Sequence, residues 1–141
     1  DSHDTERFLT LAKKNGKDER SLLCSLAIMF FLPGMPCIYY GTEIGMEGGY
    51  DPDCRRTFDW NRKNWNMRVY ATVINLIRLR KCIKGDVTYS AGNGILLIGR
   101  GDLILAVNNG TEKRRTKILH KEYEIGPFEF IIINIKEGEV L

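Results

Sequence analysis

The chain has 141 residues, 43% hydrophobic and 28% charged, with a formal net charge of +3. That apolar content excludes a disordered chain, and so small a charge does not by itself point to nucleic acid. The longest apolar run, Leu26 to Leu32, is too short to span a bilayer, so no membrane partner is expected.

The chain opens on Asp1 without a basic-then-apolar leader, so no signal peptide is expected. An Asp start reads as a piece of a longer protein. Residues 1–10, "DSHDTERFLT", read as a loop entering a short turn or helix, followed by a polar connector, "KKNGKDER". Asp18 is placed to cap a helix over Glu19 to Phe31, where Leu22, Leu23, Leu26, Ala27 and Phe30 recur at helical spacing. "PGMP" stops it, because proline removes a donor and drives its predecessor to extended forms. Cys37 to Tyr40, "CIYY", is apolar on both faces and reads as a buried parallel strand. A long polar loop follows, then a helix over Asn66 to Lys81 with Val69, Val73, Leu76, Ile77 and Arg80 on one side. After Gly85 the pattern changes to short β-rich runs, "GILLIGR", "DLILAVNNG", "KILHKEYEIG" and "FEFIIINI", broken by turn residues. These predict a small antiparallel sheet or sandwich and a boundary near residues 84–86.

Four cysteines, Cys24, Cys37, Cys54 and Cys82, form no Cys-x-x-Cys pair, and only His3 and His120 accompany them. No metal site is expected. Cys24 and Cys37 sit in apolar sequence, which favours reduced thiols and a cytoplasmic setting.

The helix, strand, polar loop and helix of the first half have the rhythm of α/β proteins, whose ligand sites lie beyond the C-terminal ends of parallel strands. Two loops fall there. In the first, a neutral His3 imidazole would donate to a hydroxyl and the Asp4 carboxylate would accept from two, which suits a polyol. The bland alternative makes Asp4 a turn cap and His3 an exposed residue. In the second, "DPDCRRTFDW", Asp51 and Arg55 stand four residues apart. They read equally as a sugar-gripping pair and as a structural ion pair that pins the loop. Tyr50, Phe58, Trp60 and Trp65 divide between sugar-stacking rings and loop anchors. Of Tyr39 and Tyr40, one is expected to face the core and one the pocket. Glu43 is expected in a hydrogen-bonded structural network. "EKRRTK" lacks interleaved aromatics and reads as a solvated hairpin, and His120 as a strand surface residue.

"DSHDTERFLT", "PGMPCIYYGTEIGMEGG" and "DPDCRRTFDW", in that order and spacing, resemble the C-terminal part of the α-amylase family of glycoside hydrolases. The nearest likeness is to its cyclomaltodextrinase, neopullulanase and maltogenic amylase group. The resemblance implies an α/β plus all-β fold: the last βα units of a (β/α)8 TIM barrel over residues 1–84, then a small antiparallel β-sandwich over 85–141. It implies Asp4 as the transition-state-stabilising carboxylate, His3 as a donor to the same sugar ring, and Asp51 and Arg55 as ligands of the neighbouring glucose. The implied partners are α-glucan oligosaccharides such as maltodextrin and cyclodextrin, with no cofactor, no nucleic acid and no membrane. Members of this group often dimerise through an N-terminal domain, which leaves a homodimeric parent open. Ser2 stands where amylases in general carry Asn, and Thr42 where Asp is usual. The nucleophilic Asp and the acid/base Glu would lie on barrel strands four and five, outside this sequence. A retaining glycosidase needs two carboxyls about 5–5.5 Å apart, so the 141-residue chain alone is expected to be inactive. The rival readings are a non-catalytic carbohydrate-binding or structural β module and, more remotely, a nucleic-acid-binding β domain using "EKRR".

Overall fold

The computed structural model describes residues 1–141. Three α-helices come first: α1 (Phe8–Lys14), α2 (Glu19–Phe31) and α3 (Met67–Cys82). Seven strands follow: β1 (Val87–Gly92), β2 (Ile95–Arg100), β3 (Leu103–Asn108), β4 (Arg114–Ile118), β5 (Lys121–Ile125), β6 (Glu129–Asn134) and β7 (Glu139–Val140).

Helix α2 keeps the bounds its sequence predicts. The Asp18 carboxylate accepts from the Arg20 backbone N–H at 3.0 Å, filling one of the orphan donors at a helix start. Its other end has no basic residue of its own. Two arginines from elsewhere supply the missing cations: Arg80 of α3 donates to the carbonyls of Phe30 and Leu32 at 2.9 and 3.0 Å. Arg100 of β2 donates to Phe31 and Leu32 at 3.2 and 2.9 Å. Positive charge on exposed carbonyls at a helix C-terminus is favourable. In α3 the Asn66 side chain accepts from the N–H groups of Arg68 and Val69, both at 3.1 Å.

Strands β1-β2-β3-β6-β7 form one antiparallel sheet in that spatial order, and β4 and β5 form a separate hairpin. Because side chains alternate across a strand, the register sorts them onto two faces. Ile98, Leu105 and Ile132 are aligned across β2, β3 and β6 and join Leu22, Leu26, Phe30, Phe31, Val69 and Val73 of the helices in one core. Ile95, Ala106 and Ile133 face the other way and pack on Ile118 and Ile125 of the hairpin. Asn108 is fully buried where that hairpin leaves the sheet. Its amide reaches the carbonyls of Glu112, Ile125 and Gly126 at 2.7, 3.0 and 2.9 Å, and its oxygen accepts from Gly110 N–H at 2.9 Å.

Four expectations are corrected here. Cys37 to Tyr40 forms no strand, since a parallel strand needs a neighbour to pair with and every strand pair in this chain is antiparallel. Cys37 is accordingly exposed, not buried in apolar surroundings. "KILHKEYEIG" is not one strand: Leu119, at φ 56°, and His120 make the turn between β4 and β5, so His120 is an exposed turn residue. The run Val87–Gly92, which the sequence patterns did not mark, is edge strand β1. All four thiols are free. Burial pushes the Cys24 thiol up to about 12, which leaves it protonated and inert as a nucleophile. No helix is long and apolar enough to cross a membrane.

Candidate functional site

Three loops meet beside the start of α1: residues 1–7, the segment Tyr39–Gly49, and the turn Tyr50–Arg56. The first is shaped by short side chains. Ser2 accepts from the Asp4 N–H at 3.2 Å and lies 3.0 Å from the Thr5 hydroxyl. The Asp1 carboxylate accepts from the Phe8 N–H at 2.7 Å, so it caps α1 from a distance, and from the Thr42 hydroxyl at 2.5 Å. A second carboxylate at position 42 would repel Asp1 at that distance; a hydroxyl pairs with it. The departure at Thr42 therefore has a local partner.

The turn Asp53–Arg55 is held from both sides. Asp53 accepts from Gly49 N–H at 2.6 Å and from Arg56 at 2.6 and 2.9 Å. The Arg56 guanidinium, and then the Gly49 N–H, hold its carboxyl below the ordinary aspartate value. Gly48 is required by close approach, since a Cβ there would stand 2.6 Å from the Asp53 carbonyl. The Tyr40 hydroxyl donates to the Arg56 carbonyl at 2.8 Å.

This framework brings His3, Asp4, Asp51 and Arg55 together. His3 Nε2 lies 3.0 Å from Asp4 Oδ2. Arg55 Nε lies 3.0 Å from Asp51 Oδ1, and Arg55 Nη2 lies 3.8 Å from Asp4 Oδ1. Arg55 also donates to the His3 carbonyl at 3.0 Å, and the Cys54 thiol donates to the same oxygen at 3.1 Å. The ion-pair and ligand readings of Asp51 and Arg55 are thus compatible: they pair with each other while Arg55 still faces Asp4. All four side chains are exposed, so the pairs themselves contribute little to stability. Chemically the cluster offers two carboxylates, an imidazole and a forked guanidinium side by side on an exposed surface.

Two residues escaped sequence reading. Arg7 is fully buried. Its Nε donates to the Cys54 carbonyl at 3.0 Å and its Nη1 to the Tyr40 carbonyl at 2.6 Å. The rings of Tyr39 and Tyr40 lie 4.5 and 4.9 Å from its guanidinium, a cation–π geometry. Both tyrosines therefore cover Arg7, rather than dividing between core and pocket. Desolvation of Tyr39 and its contact with Tyr40 also push the Tyr39 phenol up. The only signal in the sequence was an arginine three residues after a candidate site. Asp53 is the second, a carboxylate that shapes the loop without belonging to the cluster.

Glu43 does not join the expected network. Its Oε2 is buried without a hydrogen-bond partner, at the edge of an open apolar groove of 300 Å³ between Ile38, Tyr40, Tyr70 and Ile77. No donor in this chain reaches it. Phe58, Trp60, Trp65 and Tyr70 form a run of tilted and edge-on contacts with centroids 4.7, 6.0 and 5.2 Å apart. Trp65 is anchored by donation to the Asp59 carbonyl at 2.7 Å, and Trp60 is exposed.

The family model described as "Alpha amylase, catalytic domain" matches residues 1–92. A cyclomaltodextrinase of Thermoanaerobacter pseudethanolicus is 38% identical over 129 residues, which is 85% of this chain and 22% of that protein. An intracellular maltogenic amylase of Bacillus subtilis is 47% identical over 81 residues, 57% of this chain and 13% of its own length. Among solved structures, the maltogenic amylase from S. marinus superimposes with a TM-score of 0.85 at 29% identity, over 96% of this chain and 22% of that one. A cyclic maltosyl-maltose hydrolase from Arthrobacter globiformis gives a TM-score of 0.82 at 27% identity, over 94% and 33% of the two chains. This chain therefore spans well under half the length of the relatives it matches.

Proposed function

This chain belongs to the α-amylase family, and we propose that it is part of a retaining glycoside hydrolase that cleaves α-1,4-glucosidic bonds in maltodextrins, cyclodextrins or pullulan. The family is enzymatic, and the relatives' names, cyclomaltodextrinase and maltogenic amylase among them, support that substrate range. The carrying observation is the convergence of His3, Asp4, Asp51 and Arg55, in which the Arg55 guanidinium faces both carboxylates and His3 contacts Asp4.

In this reading Asp4 accepts from the hydroxyls of the glucose whose bond is cut. It strengthens those bonds as the ring flattens and gains positive charge; such contacts to the 2-hydroxyl contribute several kcal/mol. His3 donates to the same ring, exchanging its 3.0 Å contact with Asp4 for a sugar hydroxyl. Asp51 and Arg55, already paired, grip the neighbouring glucose. Arg55 suits that task because its donors point in fixed directions. Asp4 does not serve as both nucleophile and acid, so the 141-residue chain binds sugar without turning it over. Residues 1–84 belong to the catalytic barrel and 85–141 to a C-terminal β-sandwich. The setting is cytoplasmic, which the free thiols and the name of the intracellular relative support.

The test is direct. The 141-residue chain should bind maltotriose and give no turnover of maltotriose or cyclodextrin. Turnover that vanishes with Asp4→Ala would overturn its inactivity. An absence of maltotriose binding would favour the second reading, a purely structural module. In an active longer chain that contains these residues, Asp4→Asn should remove most turnover, and an unchanged rate would remove Asp4 from the reaction.

A further inference from the structure

We propose that Arg7 is a positioning residue for the sugar site, a buried fork that sets the distance between the His3-Asp4 loop and the turn carrying Asp51 and Arg55. Where sugar affinity is concerned this role rests on the reading of the cluster given above; where geometry is concerned it stands alone.

With one side chain Arg7 reaches both of the other site loops. It follows Asp4 by three residues at the entrance to α1. Its own N–H donates to the Gly48 carbonyl at 2.9 Å. Its Nε takes the Cys54 carbonyl, which belongs to the peptide unit joining Cys54 to Arg55, and its Nη1 takes the Tyr40 carbonyl. From the far side, Arg55 Nε and Cys54 Sγ both donate to the His3 carbonyl. The connections close a ring: His3 to Arg55 to Cys54 to Arg7, and back along the chain to His3.

The chemistry argues against a role in stability alone. The guanidinium is fully buried, no salt bridge reaches it, and its Nη2 is buried without any partner. A buried cation without a counter-charge is costly, and apolar replacements of similar volume are often as stable. What an apolar residue or a lysine does not supply is a planar fork that holds two carbonyls from different loops at a fixed separation. The Tyr39 and Tyr40 rings, at 4.5 and 4.9 Å, pack against that fork.

Arg100 is the matched control. It also clamps backbone carbonyls, those of Phe31 and Leu32, but at the end of α2 and away from the cluster. The experiment compares Arg7→Lys with Arg100→Lys in the 141-residue chain, reading two signals. The first is the side-chain Nε–H resonance of Arg55, whose shift and exchange protection report its bond to the His3 carbonyl. The second is maltotriose affinity. Arg7→Lys should abolish the protection of that resonance and weaken affinity about ten-fold or more, the size of one lost charge-assisted hydrogen bond. Arg100→Lys should change neither, whatever it does to thermal stability. An unchanged Arg55 resonance in Arg7→Lys overturns the positioning role, as does an equal effect from Arg100→Lys. If the wild-type chain binds no maltotriose, the sugar reading falls while the Arg55 resonance still decides the geometry. Should Arg7→Lys fail to fold, Tyr39→Leu removes one of the two rings packed against the guanidinium. It should loosen the Arg55 resonance in the same direction, and no change there overturns the role.

Discussion

The loop half and the sheet half of this molecule are held together by different forces. Around the candidate site, order comes from directional polar contacts: Arg7 on two carbonyls, Asp53 on Gly49 and Arg56, Arg55 on His3. In the β half, order comes from two apolar faces sorted by strand alternation, with Asn108 the buried polar exception. Polar contacts demand particular residues at particular places, whereas an apolar face asks only for hydrophobic side chains of fitting volume. That is why the loop half carries readable motifs and the sheet half carries only a pattern.

The contrast can be broken from either side. Leu105→Ala empties a fully buried site shared by sheet and helices. It should cost about 3 kcal/mol in urea unfolding, and a loss under about 1 kcal/mol would show that the sheet is not the mechanical core. Asn108→Ala leaves three carbonyls to find other partners. An expected loss of about 2 kcal/mol, by the same measurement, reflects unpaired buried groups. Asp18→Ala removes the cap of α2 and should cost about 1 kcal/mol. Asp4→Asn and Arg55→Ala invert the pattern. They should weaken maltotriose binding in a titration while shifting stability by less than about 1 kcal/mol, because the pairs they break are exposed. A large stability loss from either would move them from the ligand role to a structural one.

The smallest effect is with pH. The folded-state value of Asp53 lies below its ordinary 3.8. Its contribution is therefore fully present above that ordinary value and is lost as pH falls through the lower, folded one. The Gly49 amide resonance should report this as a titration with a midpoint below 3.8, absent in Asp53→Asn. A midpoint at or above 3.8 would mean that Arg56 does not hold this carboxylate in solution.

Much of the molecule follows from local sequence. Asp18, the helical spacing behind it and Pro33 determine α2 to the residue, because caps and breakers act within one turn. Asn66, read as the first residue of the second helix, is its cap, and α3 runs one residue later at each end, Met67–Cys82. The apolar runs mark β2, β3 and β6, and the three loop motifs name the residues of the candidate cluster. What the sequence left open depends on partners far along the chain. Cys37 to Tyr40 has the composition of a strand but no neighbour to pair with, and composition does not supply a ladder. The end of α2 is closed by Arg80 and Arg100, some 50 and 69 residues away from the carbonyls they bind. Arg7 meets Cys54 across 47 positions, a contact that no spacing rule encodes. Sequence determined the helices and the apolar strands β2, β3 and β6, since caps, breakers and side-chain alternation act within a turn or a strand. Only the tertiary structure decided which loops meet, because a hydrogen bond is specific in geometry and indifferent to distance along the chain.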